Sequence, residues 1–249
     1  MVVNRARTDF VHLSAAWEAE AERWIQWARM PGHDSYWQFH RDQFLRLLPP
    51  PRRQTVDIGC GEGRLARDLQ NLGHHIIAID SSPSLVAAAR ARDPAMDVRL
   101  ADAAALPLAD ASADLAVAFM SLQDIDEMPA AVREMARVLE PGGRLCLAIV
   151  HPLNSAGRFE QSTADARFIV NGDYLGAFRY ADTVERDGLT VAFHSLHRPL
   201  EAYFTALENA GLLVEALREP GVPEHAIASE AGRRWQRVPL FLHLRALRP

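Results

Sequence analysis

A glycine-rich segment between a predicted strand and a predicted helix is the part of the sequence best suited to binding a ligand. It reads Val56-Asp57-Ile58-Gly59-Cys60-Gly61-Glu62-Gly63-Arg64. Glycines let a ligand approach the backbone of such a turn, and the N-terminus of the following helix presents its N–H groups. Asp80 ends the next predicted strand, where its carboxylate can accept both hydroxyl protons of a ribose. Together these features predict a site for an adenosine-type ligand.

Two classes of adenosine ligand compete for this turn. A dinucleotide fingerprint requires Gly-x-Gly-x-x-Gly. Here the glycines are Gly59, Gly61 and Gly63, and Arg64 takes the place of the third dinucleotide glycine. Asp57 lies within the preceding strand, where an acid would repel a pyrophosphate but attract an α-amino group. The residues therefore favour a nucleoside that carries an amino acid, with a nicotinamide dinucleotide as the alternative.

The elements that must position this turn alternate along the chain. Short apolar runs predict strands, and the longer segments between them have the apolar spacing of helices. The predicted strands are 55–58, 75–79, 96–100, 115–119, 144–150, 212–217 and 240–246, and the helices between them are 62–72, 83–92, 129–139 and 199–210. Strands separated by helices predict βαβ units and a parallel sheet with helices on both faces.

The segments on either side of this core have a different pattern. Phe10, Leu13, Trp17 and Trp24 fall at helical spacing and predict a helix before the core. After the fifth strand, Asp187-Gly188 lies between two alternating runs and predicts a two-residue hairpin.

In the predicted hairpin register, Val184 faces Val191, Tyr180 faces Ser195 and Phe178 faces His197. The sequence contains no internal repeat, so a single domain is predicted. Its parts are an N-terminal helical cap (1–50), a ligand-binding core (51–150), an insertion on the substrate side (151–198) and the C-terminal part of the sheet (199–249).

Composition excludes several classes of function. The chain has 249 residues and a net charge of −5, which disfavours nucleic acid as a partner. No apolar run approaches the roughly 18 residues of a membrane span, and no signal peptide is evident, so a cytoplasmic protein is expected. The 27 basic residues are all Arg, which excludes Schiff-base chemistry on Lys. The sequence places no third metal ligand beside its neighbouring His residues, so no metal site is predicted.

Four segments together resemble a known family. They are Val56–Gly63, Ile79–Pro83, Asp102–Ala103 with Leu106–Pro107, and Arg137–Leu145. In this order they are similar to the motifs of the class I S-adenosylmethionine-dependent methyltransferases, especially the ubiquinone and menaquinone methyltransferases and their small-molecule relatives. The resemblance covers roughly residues 40–150 and the terminal strands. It implies a Rossmann-like, seven-stranded, mostly parallel sheet whose last strand is antiparallel, with S-adenosylmethionine as the cofactor.

The resemblance also implies roles for the matching residues. Asp57 would lie near the methionine amino group, and Asp80 would bind the ribose hydroxyls with Ser81 close by. Asp102 would accept a hydrogen bond from the adenine amino group, helped by the backbone of Ala103. The other residues expected to line the cofactor are Gly59, Cys60, Gly61, Gly63, Met120 and Ser121.

The expected activity is transfer of a methyl group to an O or N atom of a small, cyclic or aromatic metabolite. Such a displacement needs positioning and, for many acceptors, a base. His151, which directly follows the fifth strand, and His197 in the hairpin are the candidate bases. Candidate substrate contacts are Tyr36, Trp37, Tyr180 and Arg198.

Two alternatives to this activity stay open, and the assembly is undetermined. One alternative is a nicotinamide-dependent oxidoreductase, and the other is a protein that binds S-adenosylmethionine without catalysis. A homodimer is possible, and neither nucleic acid nor a membrane is expected as a partner.

Overall fold

The computed structural model describes residues 3–8 and 12–249, so Phe10 of the predicted N-terminal helix lies outside the described residues. The helices are α1 (Leu13–Ala28), α2 (Arg41–Leu45), α3 (Arg64–Asn71), α4 (Pro83–Arg92), α5 (Met128–Val138), α6 (Pro152–Ala156) and α7 (Leu200–Asn209). The strands are β1 (Val3–Arg7), β2 (Thr55–Ile58), β3 (Ile76–Asp80), β4 (Asp97–Leu100), β5 (Ala113–Phe119), β6 (Leu139–Val150), β7 (Gly157–Phe159), β8 (Phe168–Val170), β9 (Phe178–Arg186), β10 (Leu189–His197), β11 (Leu213–Arg218) and β12 (Phe241–Leu247).

A seven-stranded sheet forms the centre of the fold, in the order β11-β12-β6-β5-β2-β3-β4. The pairs from β6 to β4 are parallel, whereas β12 is antiparallel to both of its neighbours. The predicted Rossmann-like sheet with an antiparallel last strand is therefore confirmed. The order reverses between β2 and β5, which is the point where α/β sheets of this kind open a crevice for ligands.

Alternation along β5 shows how the sheet is buried on both faces. Ala116 and Ala118 pack in the apolar cluster that contains α5 and α7, whereas Leu115 and Val117 pack with α3 and α4. Successive side chains of a strand point to opposite faces, so a strand covered on both sides must be apolar throughout. This explains why the run 115–119 lacks the polar positions of a half-exposed strand.

The predicted hairpin is confirmed, and its register is the predicted one. Val191 pairs with Val184, Ser195 with Tyr180 and His197 with Phe178. Both turn residues, Asp187 and Gly188, have positive φ angles of 50° and 79°. This is the conformation that a type I′ turn requires, and Asp-Gly tolerates it well.

A third strand, which the sequence pattern did not predict, completes the small antiparallel sheet β1-β9-β10. Arg5 of β1 forms two hydrogen bonds to the Asp182 carboxylate, at 2.8 and 2.6 Å. Its guanidinium also donates to the carbonyl oxygens of Asn154, Ser155 and Gly157. This one side chain therefore ties the N-terminal strand to the hairpin and to the segment that follows β6.

Two buried histidines join the π-helical turn Tyr36–His40 to the last strand. The Nε2 atoms of His40 and His243 are 2.8 Å apart, and the His40 ring stacks on Phe241 with centroids separated by 3.7 Å. Burial lowers the pKa of both rings, to about 4 for His243. Both rings are therefore neutral near pH 7, and one Nε2–H donates to the other Nε2.

Replacing His40 with Leu is expected to destabilise the protein, because the Nε2 of His243 would be left buried without its partner. The expected loss in the free energy of unfolding is about 1–3 kcal/mol, measured by urea denaturation. The exposed His225 provides the control, and His225→Leu should change stability by less than about 0.5 kcal/mol. Equal stability of the two variants would contradict a structural role for the His40–His243 pair.

Candidate functional site

A cavity of about 1550 Å³ lies at the carboxyl ends of the parallel strands, and α1 and the β9–β10 hairpin contribute to its walls. Ordinary small-molecule pockets occupy roughly 300–1,000 Å³. The cavity is therefore large enough to hold a nucleoside cofactor and a second small molecule together.

The glycine turn forms one wall of the cavity with its backbone. Gly59 has φ 73°, and a Cβ added there would stand 2.3 Å from the Cβ of Ser121. Gly61 has φ 59°, and its Cβ would meet the indole nitrogen of Trp24 at 3.1 Å. Gly63 has φ 82° and caps α3, but it is not among the residues that line the cavity. Two of the three predicted glycines thus face the cavity, and the third shapes the turn.

Two buried carboxylates stand next to this turn. Asp80 accepts backbone N–H bonds from Gly61 at 2.8 Å and from Ser82 at 2.9 Å. Asp57 lies buried in the cavity wall, and its Oδ2 has no hydrogen-bond partner among the described residues. Burial, together with repulsion from Asp80, raises the pKa of Asp57 to about 7. An ammonium group would supply the missing partner and stabilise the ionised form, so the site fits an amino-acid-bearing nucleoside.

The remaining predicted cofactor residues also line the cavity. Ser81 and Asp102 are exposed there, and Asp102 Oδ1 accepts the Ala104 N–H at 2.9 Å, which fixes the turn that contains Ala103. Cys60 is buried, and burial raises the pKa of its thiol, so it contributes its backbone to the turn rather than a nucleophile. Their contacts with a cofactor stay predictions.

Met120 and Ser121 connect the end of β5 to the glycine turn. Met120 has φ 58°, an unusual conformation for a residue with a side chain. Its N–H donates to the Ala148 carbonyl at 2.8 Å, and the Ser121 hydroxyl donates to the Ile58 carbonyl at 2.6 Å. These bonds hold a strained backbone at the cavity, and such strain is concentrated at functional sites.

The two candidate bases lie outside the residues that line the cavity. His151 Nδ1 accepts the Leu153 N–H at 3.0 Å, and its Nε2 lies 2.9 Å from a Glu219 oxygen. His197 Nε2 donates to the Tyr174 carbonyl at 2.9 Å, and its Nδ1 lies 2.6 Å from the Ser155 hydroxyl. Burial lowers the pKa of both rings. Each histidine would have to break a hydrogen bond before it could take a proton from an acceptor.

Only one of the four predicted substrate contacts lines the cavity, and that residue is Tyr180. The Tyr36 hydroxyl donates to Asp68 at 2.7 Å, and Trp37 packs edge-on against Tyr36 in the apolar cluster of α3 and α4. Arg198 is buried and donates to the carbonyl oxygens of residues 125 and 126 at 2.7 and 2.8 Å. The hydrogen bonds of Tyr36 and Arg198 therefore stabilise the walls behind the cavity.

Sequence reasoning missed several residues that line the cavity. Trp17 and Trp24 of α1 lie there with Phe193 of the hairpin, in edge-to-face contacts with centroids 5.8–6.4 Å apart. Asp124 and Arg5 are also in the wall. The helical spacing of the tryptophans was visible in the sequence, but spacing alone does not reveal whether an aromatic stripe packs in a core or faces a ligand.

A carboxylate of α1 holds the loop that follows Asp80. Glu18 accepts hydrogen bonds from the hydroxyls of Ser82 and Ser84, the latter at 2.6 Å. Near the other end of the helix, Arg29 donates to the buried Glu62 at 3.0 Å. Helix α1 is therefore fastened to both of the loops that carry predicted cofactor contacts.

Replacing Glu18 with Gln is expected to weaken binding of S-adenosylhomocysteine about tenfold, because a charge-assisted acceptor for two serine hydroxyls is lost. Isothermal titration calorimetry measures this change. Glu22→Gln is the matched control, since Glu22 is exposed on the same helix, and it should bind like the unmodified protein. The assignment fails if the two variants bind with the same affinity.

Two kinds of feature are absent from the part of the chain that the structure describes. Within it, no three His, Cys, Asp or Glu side chains are grouped so that they could hold a metal ion. Nor does any helix within residues 12–249 have the length and apolar character needed to cross a bilayer.

Comparison with known proteins gives one consistent picture. Residues 56–147 match the model of a protein family that is described as a methyltransferase domain. A probable S-adenosylmethionine-dependent methyltransferase of Mycobacterium tuberculosis is 36% identical over 118 residues, which cover 46% of this chain and 43% of that protein. The malonyl-[acyl-carrier protein] O-methyltransferase of Serratia marcescens is 30% identical over 178 residues, 67% of this chain and 68% of that protein. An S-adenosylmethionine-dependent methyltransferase structure from Mesorhizobium loti aligns with a TM-score of 0.68 and 25% identity, over 86% of this chain and 98% of that one.

Proposed function

The chain belongs to the S-adenosylmethionine-dependent methyltransferases, and we propose that it methylates an O or N atom of a small cyclic or aromatic metabolite. The observation that carries the cofactor part of this proposal is the buried Asp57 carboxylate beside the glycine turn, whose Oδ2 lacks a partner within the described residues. A pyrophosphate would be repelled there, which disfavours the nicotinamide alternative. The size of the cavity supports an acceptor bound next to the cofactor.

Several residues would hold the cofactor. Asp57 would pair with its ammonium group, and Asp80 would accept hydrogen bonds from the ribose hydroxyls. The adenine amino group would donate to Asp102, and the backbone of Gly59 and Gly61 would pass along the methionine portion. When bound, S-adenosylmethionine supplies a methyl group activated by a positively charged sulfur.

The chain itself positions the acceptor and excludes water. Phe178, Tyr180 and Phe193 present aromatic rings to the cavity from one face of the hairpin. Flat apolar side chains of this kind suit a ring-bearing acceptor, and the displacement is accelerated mainly by orientation. The roles of His151 and His197 as bases stay predictions, as do a cytoplasmic location and a homodimer.

Calorimetric titration with S-adenosylmethionine, S-adenosylhomocysteine and NADH tests the cofactor site. We expect micromolar binding of the first two, loss of both in Asp80→Ala, and no binding of NADH. Radiolabelled methyl transfer to a panel of phenols, alcohols and ring-bearing amines then tests catalysis. Binding without transfer to any of them would favour the non-catalytic alternative, and binding of NADH alone would refute the proposal.

A further inference from the structure

Asp124 lies where the cofactor end of the cavity meets the hairpin. Its backbone N–H donates to the Ser121 carbonyl at 2.8 Å, so it follows the turn that contacts the glycine loop. Its Oδ1 accepts the Ser195 hydroxyl at 2.7 Å, and Ser195 pairs with Tyr180 in the hairpin. Asp124, Ser195 and Tyr180 all line the cavity. A carboxylate in this place stands between the predicted cofactor and the aromatic face of the hairpin.

The wall around Asp124 offers hydrogen-bond acceptors to a ligand. Gln123 is only 4% exposed and lines the cavity, and its amide nitrogen donates to the Met120 carbonyl at 2.6 Å. Its Oε1 is buried without a hydrogen-bond partner in the described part of the chain. The Ser195 hydroxyl and the Gln123 side chain both hydrogen-bond to the Asp124 carboxylate. The unpartnered Gln123 Oε1 and the neighbouring Asp124 carboxylate can therefore accept hydrogen bonds from a ligand that donates.

Burial, rather than the surrounding charges, makes an ionised Asp124 costly without a ligand. Two guanidiniums stand near this wall. Arg5 lines the cavity, stacks on Tyr180 and pairs with Asp182, whereas Arg198 lies behind the wall and donates to the carbonyls of residues 125 and 126. The charge of Arg198 lowers the pKa of Asp124, but the effect of burial is larger. Burial raises the pKa of Asp124 well above the usual range of an aspartic acid. A cation bound against the carboxylate would stabilise its ionised form.

We propose that Asp124 and Gln123 bind the ammonium group of a ring-bearing amine, so that this methyltransferase acts on nitrogen. The inference rests on the proposed function and narrows its acceptor class. An ammonium can donate several N–H bonds to the two oxygens, and Tyr180 and Phe178 line the same cavity from the hairpin face that carries Ser195, where they would meet the ring of the amine.

The proposed step balances without any further reactant. The bound ammonium passes one proton to the Asp124 carboxylate, which frees the lone pair on nitrogen. That lone pair forms the nitrogen–methyl bond while the carbon–sulfur bond breaks with its electrons retained by sulfur. The products are a methylated ammonium ion, S-adenosylhomocysteine and a protonated Asp124, which returns its proton to water.

Binding of two probes tests the inference without knowledge of the natural acceptor. Benzylamine and benzyl alcohol have the same shape but differ in charge, and each is titrated calorimetrically into protein saturated with S-adenosylhomocysteine. We expect benzylamine to bind at least about tenfold more tightly than benzyl alcohol. Asp124→Asn, which preserves an acceptor for Ser195, should remove this preference and leave the affinity for S-adenosylhomocysteine unchanged.

Glu127→Gln provides the matched control, because Glu127 is an exposed acid of the same cavity wall three residues away. It should keep the preference for benzylamine.

The inference is overturned if the unmodified protein does not prefer benzylamine, or if the preference survives in Asp124→Asn. The comparison of the two probes on the unmodified protein can overturn the inference even if the variant misfolds. If the unmodified protein does not bind S-adenosylhomocysteine at all, the proposed function itself is refuted.

Discussion

Asp57→Asn is expected to make the protein more stable without its cofactor and to weaken cofactor binding about a hundredfold. The carboxyl of Asp57 is buried, and its pKa in the folded protein is about 7, compared with an ordinary value of 3.8. The folded state therefore binds a proton that the unfolded state releases between these two pH values. Above pH 7 the ionised, buried carboxylate costs about 4 kcal/mol of stability.

The sign of the pH dependence follows from this shift. The cost is absent below pH 3.8, grows as the pH rises, and is complete above pH 7. Asn carries no charge, so the free energy of unfolding of Asp57→Asn should fall less steeply between pH 5 and pH 8 than that of the unmodified protein.

Cofactor affinity should change with pH in the opposite direction. An ammonium ligand needs the ionised Asp57, so a proton must be released on binding below pH 7. The affinity for S-adenosylhomocysteine should then fall about tenfold for each pH unit below 7 in the unmodified protein and much less in Asp57→Asn.

Urea denaturation and calorimetry across this pH range measure both effects. Asp165→Asn serves as the control, because Asp165 is exposed and is not among the residues that line the cavity. It should reproduce the unmodified protein in both experiments. A pH-independent affinity in the unmodified protein would show that Asp57 does not face the ammonium group.

Gly59→Ala is expected to abolish detectable binding of S-adenosylhomocysteine. The new Cβ would stand 2.3 Å from Ser121 Cβ, so Ser121 and the strained backbone at Met120 must move. The positive φ of 73° adds about 1–2 kcal/mol of strain for any residue with a side chain. The displacement closes the cavity wall on which the cofactor is predicted to lie.

Gly142→Ala is the control that separates the effect of backbone strain from the effect of the steric clash with Ser121. Gly142 has a similar φ of 81°, but its Cβ would meet no atom within 4 Å in residues 3–8 and 12–249. This control should lose about 1–2 kcal/mol of stability and keep its affinity for S-adenosylhomocysteine. If Gly59→Ala binds S-adenosylhomocysteine as tightly as Gly142→Ala does, the close approach of the cofactor to the glycine turn is contradicted.

The sequence by itself determined the parts of this protein that depend on local pattern. Strands buried on both faces are apolar throughout, and the Asp187-Gly188 turn sets the hairpin register because its two positive φ angles leave little choice. The glycine turn and Asp80 could also be placed at one edge of the sheet, because each follows or ends a strand and parallel strands bring their carboxyl ends together.

Only the tertiary structure decided which polar side chains reach the cavity. His151 directly follows a strand and His197 ends one, as expected. Hydrogen bonds to the Leu153 N–H and the Tyr174 carbonyl nevertheless occupy one ring nitrogen of each. Asp124 gave no distinctive signal, and the helical spacing of Trp24 did not reveal that it faces a cavity. Both meet the cavity through contacts with residues far away in the chain, Ser195 and the glycine turn. Strand β1 was equally hidden, since Arg5 is fixed by Asp182 and by three carbonyls more than 140 residues distant. Periodicity describes a residue's own element, whereas a binding site is formed by side chains that come together only when distant elements pack.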